Sequence, residues 1–488
     1  MSTFSLSNVI RVTVQGVERS LAVKNVNEVA LFTHETPDNN DDYMIAIDPS
    51  DIVKAYGTNS LTAKMAQNVF AQNANVNTGR GYLVVIPMKG ATSATATTFS
   101  TASLASKIDA FKAVTDGSLK ITVDGVDNTL SGLNFSAVTS VNDIAKVISN
   151  ATKCCWISVN AGALVFSSKK VGSTSTVVLS SGVGGTDISA SSYLNVTGGT
   201  TSTGTNSSGE TLGAAIERTK DLVSYTGILT TLSLEDTAVA TASSAVNAGD
   251  YIWVQPFTST VDIAGAITTV KNAGQTKTRC LLYTNGIEEA KLFAAAYAGR
   301  AFSVNFSGSA TSQTMNLKTL VNVLPDDGLT QTNYTNAKAA GADLYVNYQG
   351  ANGVLSSGGN GYFDVIYENL ALKYAAQYGL FNALKTAGAK VPQTETGMSV
   401  LRNALAQVFI QFVRNGVIAP GTWNSAQTFG DPETFRKNIA EVGWYIYSLP
   451  ITQQAQSERE QRIAPVIQGA CKRAGAIHEA DILIIVEE

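Results

Sequence analysis

Between residue 211 and about residue 350, short apolar runs alternate with amphipathic stretches. Tyr251-Ile-Trp-Val254 reads as a strand, residues 262–273 as a helix and Arg279-Cys-Leu-Leu-Tyr283 as a second strand, the spacing of a βαβ unit. A helix over 287–297, strands near 301–306 and 344–348 and a helix around 333–340 continue the alternation, which predicts an α/β layer. Apolar residues then recur with a helical period at Phe363, Ile366, Tyr367, Leu370, Tyr374 and Tyr378, and again at Met398, Leu401, Leu405, Val408 and Phe412. Two long amphipathic helices follow from that period, and packing explains the aromatic stripe better than a cofactor site does.

The two chain ends have strand patterns. Ile10, Val12 and Val14 alternate with Val9, Arg11 and Thr13, the signature of a half-buried strand. At the other end Ile482, Ile484 and Val486 fall on one face and Leu483 and Ile485 on the other, so both faces need cover. Trp444-Tyr-Ile-Tyr-Ser-Leu449 is a strand that stops at Pro450, whereas Pro465 opens a predicted helix with Lys472 and Arg473 in its last turn and Gly475 beyond it. Residues 450–462 and 475–480 read as extended linkers.

Residues 91–210 differ from the rest: 52 of these 120 residues are Ser, Thr or Gly, and none is Pro or Arg. The stretch reads as a separate β module, with a strand from Lys120 entering an Asp124-Gly125 turn, a helix around Val141, Ile144, Ala145 and Ile148, and a strand at Ala163-Leu-Val-Phe-Ser167. Residues 198–209 are low in complexity and read as a flexible exit linker.

Charged residues make up 15% of the chain, against roughly 25% in an average soluble domain, so much of the surface is uncharged or covered by partners. A formal charge of -4 provides no basic excess for a phosphate backbone and argues against nucleic acid as a partner. No apolar run approaches the roughly 18 residues of a membrane span, and the first residues lack the basic and apolar regions of a secretory signal. Assembly in the cytoplasm without a membrane anchor is therefore expected. Cys154, Cys155, Cys280 and Cys471 have neither disulfide-ladder nor metal-ligand spacing and read as reduced thiols.

Catalytic material is scarce. His34 and His478 are the only histidines and read as solvated loop residues; no Gly-Lys dipeptide or Gly-x-Ser-x-Gly elbow occurs. The glycines at 350, 353, 358, 359 and 361 do not match a dinucleotide fingerprint. The acidic clusters at Asp38, Asp41 and Asp42, at Asp124 and Asp127, and at Asp326 and Asp327 lack the spacing of an oxygen-ligand loop. No catalytic, cofactor or metal set is expected, and the chain does not read as an enzyme.

Five stretches, in this order, carry a family resemblance: Lys318-Thr-Leu-Val-Asn-Val-Leu-Pro325, Gly341-Ala-Asp-Leu-Tyr345, Gly361-Tyr-Phe-Asp364, Val391-Pro-Gln-Thr-Glu-Thr-Gly397 and Arg473-Ala-Gly-Ala-Ile-His478. They resemble the tail sheath proteins of contractile-tailed bacteriophages, over the first 90 residues and about 211–488. The resemblance implies a mixed α/β, multidomain fold. Its parts would be an N-terminal arm (1–25), a middle α/β domain (26–90 and 211–360), an outward-facing inserted β domain (91–210), an inner tube-facing domain (361–474) and a C-terminal arm strand (475–488).

It also implies a structural subunit that stacks as hexameric rings around the tail tube and contracts when the baseplate triggers it, driving the tube through the host envelope. The implied partners are further copies of the chain, the tube protein, and baseplate and tail terminator proteins, in the virion tail and with no cofactor. Val9, Ile10, Val12 and Val14 at one end and Ile482, Leu483, Ile484, Ile485 and Val486 at the other would be exchanged between subunits, and Lys472 and Arg473 would face the tube. Two other readings compete: an α/β enzyme, which needs a pocket with converging ionisable groups, and a surface or adhesive β protein, suggested by the composition of 91–210.

Overall fold

The computed structural model describes residues 24–37 and 41–484; Val9, Ile10, Val12, Val14, Ile485 and Val486 lie outside the described residues. The fold is mixed α/β, and its contacts gather into two compact units. The larger comprises Val26–Asn305, Thr311–Leu370 and the segment from Ala476 onward; the smaller includes Phe306–Ala310 and Ala371–Gly475.

The larger unit begins with β1 (Val29–Thr33) and β2 (Met44–Ala46), then α1 (Pro49–Tyr56), α2 (Leu61–Phe70) and β3 (Leu83–Pro87). Asp48 and Ser60 accept backbone N–H groups at the starts of α1 and α2, and Pro49 occupies the first turn, where its missing N–H costs nothing. The chain then enters the insert: β4 (Thr98–Ser100), α3 (Ile108–Lys112), β5 (Gly117–Val123), β6 (Val126–Leu133), α4 (Val141–Ala151), β7 (Trp156–Asn160), β8 (Ala163–Ser167), β9 (Val177–Ser181), β10 (Thr186–Asp187) and β11 (Thr200–Ser202). It returns through α5 (Leu212–Thr219), β12 (Gly227–Thr230), α6 (Asp236–Ala248), β13 (Ile252–Phe257), α7 (Ala266–Asn272), β14 (Thr278–Leu282), α8 (Ile287–Ala301), α9 (Gln331–Ala340), β15 (Ala342–Tyr348) and β16 (Ala351–Leu355).

These strands form an eight-stranded sheet in the order β16-β15-β14-β13-β12-β1-β3-β2, parallel from β15 to β3 and antiparallel at both edges. Every residue of β1, β12 and β14 is buried, because helices cover both faces of a parallel sheet. Phe32, Ile86, Ile228, Trp253 and Leu282 share a core with α5, α6 and α7, and α8 packs on β12, β13 and α2. Gly299 permits the last contact, since a Cβ there would lie 2.3 Å from the Val69 carbonyl oxygen. Where a strand near 301–306 was expected, α8 runs on to Ala301, and Asn27 takes up the Phe302 and Val304 carbonyls at 2.8 and 2.7 Å instead of a neighbouring strand.

A buried ion pair binds β14 to β15. Arg279 donates from Nε to Asp343 Oδ2 at 2.8 Å, from a second nitrogen to Asp343 Oδ1, and to the carbonyls of Ser357 (2.7 Å) and Gly361 (2.6 Å). Asp343 also accepts from the Tyr297 hydroxyl and the Ser357 N–H, both at 2.6 Å. Arg279 is held protonated, well above its ordinary value: burial alone would lower it, and the Asp343 charge more than compensates.

Lys291 on α8 is buried and donates to the Leu232 carbonyl; burial pushes its ammonium down to about 7 from 10.5. Between those values the unfolded chain binds more protons than the folded one, so stability rises with pH across that window. Lys291→Met is expected to stabilise the protein at pH 7 by about 2 kcal/mol, the relieved charge burial outweighing the lost hydrogen bond. It should also flatten the rise between pH 7 and 10, as measured by urea unfolding.

The insert contains two small sheets, one with β10-β5-β6 and β9 on β5, the other in the order β11-β4-β8-β7. Its core gathers Phe111, Ile121, Phe135, Ile144, Ile148 and Phe166, and the expected turn is present with Asp124 and Gly125 at φ 50° and 81°. Residues 198–209 are not the expected flexible linker. β11 pairs with β4, Thr92 bridges Ser208, and the Thr95 and Thr205 hydroxyls meet at 2.9 Å, so hydroxyl-rich sequence serves a return strand. The insert is docked as well: the Trp156 indole donates to the Thr284 carbonyl at 3.2 Å, Lys170 to Asp236 at 2.5 Å, and Ser207 to Glu235 through both N–H (3.0 Å) and hydroxyl (2.9 Å). His34 is also not a solvated loop residue; its Nδ1 lies 2.8 Å from the Thr231 hydroxyl, and burial lowers its pKa.

α10 (Phe363–Thr386) starts in the larger unit and passes into the smaller at Ala371. The smaller unit continues with α11 (Glu395–Asn415), α12 (Pro432–Val442), β17 (Trp444–Ser448), α13 (Gln456–Glu460) and β18 (Ile467–Cys471). On α11 Met398, Leu401, Leu405 and Phe412 are buried as the period predicts, with Phe409 rather than Val408 completing the stripe. Residues 450–462 are folded, not extended: a 3-10 turn spans Ile451–Gln453, and Ile451 packs on Met398 and Leu401 while its N–H donates to Glu395 at 2.7 Å.

Candidate functional site

β17 has an alternating aromatic sequence, and the alternation sends its side chains to two different partners. Trp444 packs on Phe409 of α11 with ring centroids 5.7 Å apart, whereas Tyr445 stacks on Phe429 at 5.7 Å and meets Phe435 of α12 at 5.3 Å. β18 runs antiparallel beside it, Trp444 opposite Cys471 and Ser448 opposite Ile467. Gly469 lets this ladder lie on α11, because a Cβ there would be 2.9 Å from the Phe409 ring. Each face of β17 therefore meets a helix and is at least half-buried, yet the ladder has two strands and, among the described residues, no third strand extends it. A two-stranded ladder of this kind is marginal alone, and no strand among the described residues pairs with either outer edge.

The helix expected from Pro465 is absent. Capping signals at Pro465, Lys472 and Gly475 are outweighed by the ladder that Ile467–Cys471 forms with β17. Lys472 and Arg473 leave the end of β18 on extended backbone, where Ala419 N–H donates to the Lys472 carbonyl at 3.0 Å and Arg473 bridges Ile418. Gly421 N–H in turn donates to the Ile439 carbonyl at 3.2 Å, which brings this segment beside the C-terminal half of α12. Only Phe435 and Ile439 of α12 are buried, and Arg436 and Lys437 are exposed. These two cations escaped sequence reasoning, although Asp431 as N-cap, Pro432 in the first turn and Gly443 just past the end mark the helix.

At the chain end Ile482, Leu483 and Ile484 are 81%, 86% and 79% exposed and join no ladder. His478 is not the expected solvated residue: it contacts Thr314 and Tyr362 within the larger unit.

Chemistry elsewhere is limited. Lys170, Asp236, Asp262 and Lys291 line a cavity of about 40 Å3, and burial raises the Asp262 carboxyl to about 7. That volume suits a water or two, not a substrate of ordinary size. Among the described residues no group of three or more His, Cys, Asp or Glu could hold a metal ion, and no helix is long and apolar enough to cross a membrane. Asp124 accepts from Ser168 and Thr176, and Asp326 from Thr284 and Gly328, so these carboxylates brace turns.

Comparison with known proteins bears on both halves of the molecule. Residues 363–486 match the family model described as E217 tail sheath protein gp31-like, C-terminal domain, and residues 94–209 match that of the E217 tail sheath protein gp31 insert domain. No curated protein matches the chain. Among solved structures the sheath tail protein Lin1278 from Listeria innocua is similar over 94% of this chain and 97% of its own, at 12% identity and a TM-score of 0.42. The matched segments take in the β17–β18 ladder, the exposed C-terminal strand sequence and the insert, and both are matches to domains of a tail sheath protein.

Proposed function

We propose that this structural protein of the phage tail polymerises as stacked hexameric rings around a tail tube, and that its terminal arms add strands to the β17–β18 ladder of neighbouring subunits. The observation that carries this reading is a ladder with two strands and, among the described residues, no third, together with a C-terminal apolar segment whose described residues, Ile482, Leu483 and Ile484, join no strand. Strand addition satisfies both needs, since main-chain hydrogen bonds supply affinity and alternate side chains fill the flanking surfaces. Val9, Ile10, Val12 and Val14 would supply the N-terminal strand, and Ile482, Leu483, Ile484, Ile485 and Val486 the C-terminal one. A sleeve joined this way can shorten while its ladders persist, because the rigid bodies between them move. Shortening on a baseplate trigger would drive the tube through the host envelope, with a terminator protein closing the far end and assembly taking place in the host cytoplasm. The insert would ride on the outside of the sleeve, docked through Trp156 and Lys170. Negative-stain imaging of the purified protein tests the reading: sleeves or rings support it, and dispersed subunits at every concentration contradict it.

We infer that Arg436 and Lys437 on α12, together with Lys472 and Arg473, are the cations that would meet an acidic tube. Each exposed pair is worth only about 0.2–1 kcal/mol, so the attraction depends on repetition around every ring. Reversing all four charges to Glu is expected to reduce co-sedimentation with tubes at low salt, and the difference should fade toward 1 M salt, where the screening length is about 3 Å. Unchanged binding at low salt would assign the contact to another element.

A further inference from the structure

Beyond Gly475, whose φ is 71°, the chain touches the larger unit once more before the apolar arm begins. Ala476, His478 and Glu479 form one wall of a cleft of about 450 Å3, with Asn316, Lys338 and Tyr362 on the other side. There His478 Nε2 lies 2.9 Å from the Thr314 hydroxyl, the Asn316 side-chain amide donates to the His478 carbonyl at 3.4 Å, and the imidazole stands edge-on to Tyr362 with centroids 4.8 Å apart. Glu479 pairs with Lys338 of α9. Three separate stretches of chain thus converge on two adjacent residues. Their neighbours are held far less: Ile477 is 89% exposed, and Ile482, Leu483 and Ile484 project into solvent.

We propose that this cleft is a seat for His478 and Glu479 that fixes the root and exit direction of the C-terminal arm. The proposal rests on the reading that the arm is donated to a neighbour, and it assigns Thr314, Asn316, Lys338 and Tyr362 as positioning residues for that donation. A strand hinged at Gly475 would have to order residues 476–479 as well as itself on meeting its partner. Seating those residues beforehand lowers the entropy lost on association and raises the effective concentration of the strand at the neighbouring edge. Every contact is polar or edge-on aromatic and partly solvated, so the seat sets direction and register without contributing a large share of the subunit's own stability.

Lys338→Glu sets two carboxylates against each other at the arm root. The concentration required for polymerisation, read by pelleting, is expected to rise about threefold or more, the effect of a like-charge contact repeated at each subunit. Lys338→Glu combined with Glu479→Lys should restore it. Thr314→Val with Tyr362→Ala should raise it as well, while the thermal midpoint of the dispersed subunit stays at the wild-type value in all of these variants. Wild-type polymerisation in both Lys338→Glu and the Thr314/Tyr362 variant would overturn the seat, as would a lowered midpoint that the charge swap does not repair. A chain stopped after Gly475 separates the two readings. If it polymerises normally, arm donation itself fails; if it cannot polymerise while the seat variants behave as wild type, only the seat fails.

Discussion

A chain stopped after Gly475 is expected to be folded, soluble and unable to form sleeves. The lost segment carries five apolar side chains from Ile482 to Val486, each worth roughly 1.5–3 kcal/mol when fully buried, as an upper bound. Within one chain, Ile482, Leu483 and Ile484 bury almost nothing, so their removal costs the subunit little, whereas in a polymer every subunit would lose one inter-subunit strand. Sedimentation velocity and circular dichroism separate the outcomes. Dispersed subunits with native helix content are expected. Normal sleeves would show that the arm is dispensable, and an unfolded product would show that it completes its own subunit.

The second large effect concerns the buried ion pair of the larger unit. Asp343→Ala is expected to destabilise the protein by about 3–5 kcal/mol, because it strands the Arg279 guanidinium in a site from which water is excluded. Arg279 and Asp343 are 2% and 0% exposed, and between them they hold the carbonyls of Ser357 and Gly361, the Ser357 N–H and the Tyr297 hydroxyl. The loss therefore extends beyond one pair. The turn at 357–361 leads into α10, whose Phe363 and Tyr367 pack on Phe302 with centroids 5.2 and 5.0 Å apart. Replacing both charges, Arg279→Leu with Asp343→Leu, should recover only part of the stability, since no uncompensated charge remains but the Ser357 and Gly361 carbonyls, the Ser357 N–H and the Tyr297 hydroxyl lose these partners. Thermal unfolding of the single and double variants gives the comparison, and a single-variant loss below about 1 kcal/mol would mean that water reaches the pair.

Half of the parallel sheet was legible in the sequence: β13, α7, β14 and β15 lie close to where the pattern of apolar runs and helical stretches puts them, whereas β1, β3 and β12, equally buried on both faces, were not read as strands. The Asp124-Gly125 hairpin was legible because the left-handed turn demands those residues. Local signals failed where tertiary pairing decides the outcome. Pro465, Lys472 and Gly475 imitate a helix, but β17 needs a partner and Ile467–Cys471 supplies it. Residues 198–209 look structureless by composition, yet their hydroxyls and backbone complete the edge of the insert. The proposed assembly surface was half legible. An apolar chain end that needs cover on both faces stands out in one dimension, whereas the open ladder edges, the exposed cations of α12 and the seat around His478 join residues more than a hundred positions apart in places and leave no periodic trace.

The most direct measurement is a three-dimensional reconstruction of the polymer formed by the full-length protein. The proposed sleeve has six subunits per ring, with residues 481–486 of each forming a strand on the β17–β18 ladder of a neighbour. A polymer in which that ladder remains two-stranded, or in which the C-terminal residues fold back onto their own subunit, would contradict it.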